Sequence, residues 1–108
     1  MALAGSVTPV GGKARRQAAR DRVAAYHQAC LAELLDHVAR EMDRYRAGAA
    51  DVFDVDATIH QYHRAAQRLW SFCWGTGGGA HLEFVADTIE RVAAEPIDWW
   101  LRGARPGR

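Results

Sequence analysis

"SFCWGTGGGAHLEF", residues 71–84, places four glycines between Gly75 and Gly79 in a chain of 108 residues. Its reading decides the fold: the glycines either cradle a phosphate after a strand or separate two helices. A Walker-type loop needs Gly-x-x-x-x-Gly-Lys followed by Ser or Thr, and this stretch has no lysine. A dinucleotide fingerprint needs a βαβ unit, so that a strand feeds the helix whose N-terminus meets the pyrophosphate. The residues before the glycines do not read as a strand. Ile59, Tyr62, Ala66, Leu69, Trp70 and Cys73 recur at three- and four-residue spacing, with Trp74 one turn beyond Trp70. The glycines therefore predict a left-handed cap and a reversal between two helices. A weaker option is an anion held beside His81 by free amides at the start of the following helix.

Moving outward, residues 13–46 contain neither glycine nor proline and are rich in Ala, Arg, Leu and Glu, which predicts one long helix. Val23, Tyr26, Cys30, Leu31, Leu34, Leu35, Val38, Met42 and Tyr45 share one broad arc of it. Gly48 sits where a C-terminal cap belongs. Asp54 or Asp56 is expected to cap the second helix. After the glycines, Leu82, Val85, Ile89, Val92 and Ala93 form the apolar side of a third helix, with Phe84 almost opposite. Pro96 can end that helix and open a short closing one over "PIDWWLRG". The expected fold is all-α, a three-helix up-down-up bundle with a long first helix and a short C-terminal helix. Its spare apolar surface predicts self-association. Residues 1–12 read as a flexible arm, 13–101 as one helical domain and 102–108 as a basic tail.

The composition, 49% apolar and 25% charged, suits a folded domain with a real core. Net charge is +1, unevenly spread. Residues 11–22 carry five basic side chains and one acid, 102–108 carry three arginines, and 23–101 set six arginines against twelve acids. Two cysteines make no disulfide framework, and no secretory leader or membrane-length apolar run is seen. The expected location is the cytoplasm.

Candidate chemistry is sparse. His60-x-x-His63 puts two imidazoles on one side of a helix, with Glu33 and His37 as conceivable partners, but the Glu-x-x-His pairs of metal-binding bundles are absent. No metal or other cofactor is expected. His27 lies in the apolar arc, as a satisfied core histidine or a pH-sensitive group at a seam. Cys30 and Cys73 face inward and read as core residues, not nucleophiles. No catalytic constellation emerges. The tryptophans carry more information: Trp99 and Trp100 are adjacent and point different ways. The ordinary reading is a core latched by the last helix, and the functional one is that Trp74, Phe84, Trp99 and Trp100 anchor a protein partner. The expected function is therefore a non-catalytic interaction or regulatory protein, binding a partner or itself through an apolar-aromatic helix face. The alternative is a nucleic-acid-associated factor using Arg15, Arg16, Arg20, Arg22, Arg105 and Arg108, although the body is acidic.

Overall fold

The computed structural model describes residues 11–75 and 78–105. The expected arm at 1–10, Thr76 and Gly77 of the glycine stretch, and the tail residues 106–108 lie outside the described residues. The chain is all-helical, with four helices and no strand among the described residues: α1 (Gly12–Arg46), α2 (Val52–Trp74), α3 (Gly79–Val92) and α4 (Trp99–Arg102). None of them is long and apolar enough to cross a membrane.

Local chemistry sets the helix ends. At the close of α1, Gly48 adopts φ +80°, and its N–H donates to the Tyr45 carbonyl while that of Ala49 donates to Arg44. These two bonds make a Schellman cap, which needs a residue free to take positive φ. The cap of α2 is Asp51, not the expected Asp54 or Asp56. Asp51 accepts from the Asp54 N–H, and the Asp54 carboxylate accepts from the Asp51 N–H, a reciprocal capping box. The expected left-handed cap at Gly75 is only partly met: φ is +35°, but ψ of −119° lies outside the left-handed helical region. The closing helix starts at Trp99 and not at Pro96, because Asp98 caps it by accepting from the Leu101 N–H.

Helix α1 packs along α2, and α3 and α4 are laid against this pair. The core is Ala19, Val23 and Leu34 from α1, Ala65, Leu69 and Cys73 from α2, Leu82, Val85 and Ala86 from α3, and Trp99. Within α1 the last buried residue is Leu34, and within α2 the first is Ala65. The distal part of both helices is therefore an arm of two helices alone. A helix of 35 residues is about 52 Å long at 1.5 Å per residue, which accounts for the elongated 65 × 28 × 22 Å shape.

Only four residues long, α4 is held by tertiary contacts. The Trp99 indole donates to the Tyr26 hydroxyl at 2.8 Å, and the Phe72 ring packs against both side chains. Gln61 donates to the Trp100 carbonyl and Arg64 to the Gly103 carbonyl. Gly103 is pressed so closely on α2 that an added methyl group would lie 2.5 Å from the Ala65 nitrogen and 2.6 Å from the Gln61 carbonyl oxygen. Its φ of −90° suits any residue, so space alone requires glycine here. Replacing it with alanine must lift α4 off α2. We expect Gly103→Ala to cost about 1–3 kcal/mol, the usual penalty of overpacking, read as a lower urea midpoint with an unchanged m-value.

Candidate functional site

The four aromatic residues singled out from sequence have unlike environments. Trp99 is only 6% exposed and completes the core, so it acts as the latch, and the little surface it keeps lines a groove beside α2. Trp100 is half-buried and stacks on His37, ring centroids 4.1 Å apart and planes 1° from parallel. Trp74 is half-buried, and its indole donates to Nδ1 of His27 at 3.0 Å. Because an indole nitrogen only donates, Nδ1 of His27 is an unprotonated acceptor in this pair. His27 is thus a satisfied histidine at the edge of the core. Phe84 is 59% exposed on the outer side of α3, where its periodicity put it.

Trp70 was assigned to the apolar arc of α2 and is instead 54% exposed. It stands beside Arg68, Ser71 and Phe72 of α2 and Trp99 and Arg102 of α4, around an open groove of roughly 760 Å³. The floor of this groove is aromatic and its rim carries two guanidinium groups. Arg102 lies over the Trp99 ring at 5.8 Å, a cation–π contact that holds one rim charge in place. Sequence periodicity missed Trp70, Arg68 and Arg102 because the groove exists only where α4 crosses α2. The one available signal was the heavy use of tryptophan beside arginine in segments 68–74 and 99–102.

A second apolar area lies at the far end of the arm. Met42 and Tyr45 of α1 and Val52, Val55 and Ile59 of α2 line a shallow concavity together with Asp56. Leu35, on the same edge of α1 as Met42, is half-exposed.

The histidine pair does not gather ligands. His60 and His63 are both exposed, and His60 leans on Asp56 at 3.4 Å. No group of three or more His, Cys, Asp or Glu side chains converges among the described residues. His81, in the first turn of α3, is turned back towards α2. Its Nε2 bonds the Phe72 carbonyl at 3.2 Å, and since a carbonyl only accepts, Nε2 carries the proton. It serves to satisfy an end carbonyl of α2.

Arg15, Arg16, Arg20 and Arg22 are exposed along the first turns of α1, and Arg105 is exposed after α4. Arg22 forms an ion pair with Glu90 of α3, and Arg15 and Arg22 share a cleft with Glu83 and Asp87. The side-chain stem of Arg16 passes over Gly79 at the start of α3. Arg108 lies outside the described residues.

Both thiols are free, with Cys73 buried and Cys30 half-buried. Burial pushes the Cys73 thiol from its ordinary 9.0 up to about 12, and the neighbouring Cys30 adds to the shift. Burial also raises Cys30. The Tyr26 phenol moves from 10.0 to about 12, chiefly by burial and against the opposing hydrogen bond from Trp99. These groups are held in their protonated forms, the opposite of what a nucleophile needs.

The shifts carry a pH dependence. Above pH 9 the unfolded chain loses thiol and then phenol protons that the folded chain retains, so alkali favours the unfolded state. Stability is expected to be complete below pH 9 and to fall progressively as the pH rises towards 12. Urea titrations of the reduced protein across that range test this, and Cys73→Ala should flatten the slope. No protein-family model, no curated protein and no solved structure matches the chain.

Proposed function

We propose that this chain is a small non-catalytic interaction protein, an up-down-up helical bundle that binds a protein partner or another copy of itself through apolar-aromatic helix surfaces. The observation that carries the reading is Trp70, more than half exposed over an aromatic floor and flanked by Arg68 and Arg102. Tryptophan and arginine are among the residues that most often dominate the energy of a protein interface, when a partner buries them near its centre. Leaving an indole in water forgoes the burial of roughly 100 Å² or more of apolar surface, at about 25 cal/mol per Å². Phe84 on α3 is a second exposed aromatic of the same kind, whereas Trp74 and Trp100 are held by His27 and His37 and contribute only their free edges. The guanidinium rim favours a partner segment that is acidic as well as apolar.

Nucleic-acid contact through the arginines of α1 and the C-terminal tail has less support. Glu90 neutralises Arg22, and Glu83 and Asp87 stand beside Arg15, so two of the four arginines of α1 face acids of their own chain.

A photo-crosslinking residue at position 70 is expected to give one discrete covalent adduct, with a specific protein or with a second copy. The same group at position 40, where Arg40 is exposed on the other side of α1, should give none. A featureless ladder at both positions would remove the groove as a docking place.

A further inference from the structure

The distal arm of α1 and α2 carries an apolar face that α3 and α4 do not reach, and we infer that a second copy of this chain covers it, forming a two-fold, antiparallel four-helix bundle. The inference rests on the interaction reading above and goes beyond it by naming the occupant, the face and the register. It uses the N-terminal part of α2, whereas the groove lies along the C-terminal part of that helix.

On α1, Leu31, Leu35, Val38, Met42 and Tyr45 follow alternating steps of four and three residues, the spacing of a helix-packing seam. This seam is offset from the stripe that meets the core, the buried Ala19, Val23 and Leu34 with the half-buried Cys30, and the two stripes meet at Leu31, which also packs on the core. At about 100° per residue, the two stripes lie roughly a quarter-turn apart. One faces the body of the protein, and the other flanks α2 on the side away from α4. The matching edge of α2 bears Val52, Ile59 and Ala66. Leu35, Tyr45, Val52 and Ile59 are between 41% and 55% exposed, so each is packed on one flank and bare on the other.

The pattern is self-complementary. The seam of α1 is symmetric about Val38, and that of α2 about Ile59. Contacts across the hairpin set the relative level of the two helices. Tyr26 meets Phe72, His27 meets Trp74, and Met42 and Tyr45 meet Val52, Val55 and Ile59. That register puts Val38 within a residue or two of the level of Ile59. A single two-fold axis at this level therefore satisfies both helices. It sets Leu31 against Tyr45 of the second copy, Leu35 against Met42, Val38 against Val38, Val52 against Ala66, and Ile59 against Ile59.

In an antiparallel pairing, side chains on one edge meet the same edge of the partner. Asp56 and His63, a turn to either side of the axis on the outer edge of α2, then face each other twice as acceptor and donor. The arm from Leu31 to Tyr45 is about 21 Å long, and two helices make it about 20 Å wide. Docking two such faces removes roughly 1,000–1,400 Å² from water in total, at the lower end of specific interfaces. A lone two-helix arm has no comparable source of burial, and helices of this length draw most of their stability from packing.

Light scattering of the full-length chain, with variants, tests the inference. The wild type should have the mass of a dimer. Leu35→Arg, on an exposed site where the fold tolerates a charge, should weaken dimerisation by roughly tenfold or more with helix content retained, whereas a charge change on the opposite side of α1, Arg40→Glu, should leave it unchanged. Ile59→Cys, on the axis, should form a 59–59 disulfide under mild oxidation, identified by the mass of the linked peptides, faster than Phe53→Cys on another side of the same helix. A monomeric wild type, a Leu35→Arg dimer of unaltered strength, or faster linkage at 53 than at 59 would each overturn it. A monomer that still gives a discrete adduct with another protein at position 70 would sink this dimer alone. The absence of any discrete adduct at position 70 would sink the groove, whatever the mass.

Discussion

A backbone-to-backbone approach at Gly103 holds the most consequential part of this molecule in place. With no Cβ in the way, the chain after α4 lies directly on Ala65, and the carbonyls of Trp100 and Gly103 come within reach of Gln61 and Arg64. A four-residue helix has too few internal hydrogen bonds to persist alone. Its position therefore depends on this contact and on the Trp99 indole, which reaches the Tyr26 hydroxyl across the core. Once α4 is seated, Arg102 and Trp99 become one wall of the groove and Trp70 its rim. The groove proposed for docking is thus a by-product of how the last helix is latched.

The rest of the molecule divides by what lies on top of the α1–α2 pair. Over the proximal part, α3 and α4 complete a core in which every fully buried side chain is apolar or a protonated thiol. Over the distal part no other described element lies on one side, and the apolar side chains there are only half-covered. Polar satisfaction follows the same division. Two indoles find acceptors inside the molecule, Trp74 in the His27 imidazole and Trp99 in the Tyr26 phenol, and no buried side-chain nitrogen or oxygen among the described residues is left without a partner. Removing an indole N–H from water without an acceptor would cost about 1–3 kcal/mol. These pairs let so many aromatic residues enter a small core.

These features explain why the functional reading rests on surfaces and not on chemistry. The histidines that looked like ligands are either dispersed, as His60 and His63 are, or used as hydrogen-bond partners and stacking planes, as His27, His37 and His81 are. The cysteines are raised away from reactivity by burial. The exposed tryptophan and the uncovered arm are the features left for binding to use.

Much of the architecture was legible in the residues themselves. The span of α1, its glycine cap, the helix before the glycine stretch and the helix after it follow from composition and three-to-four spacing, because those preferences act within a few residues. The error in the cap of α2 is of the same local kind: Asp51, Asp54 and Asp56 are all competent caps, and the reciprocal bond between the first two decides among them. Periodicity also marked which side of each helix is apolar. It did not say how wide a stripe the neighbours would cover, so Trp70, Leu35 and Ile59 read as core residues although only one flank of each is packed. The depth of Trp99, the pairing of its indole with a tyrosine 73 positions earlier, and the approach of Gly103 to Ala65 required the assembled tertiary structure. Helix formation is settled by short-range hydrogen bonds and rotamer entropy, whereas burial depends on which distant segment arrives to exclude water.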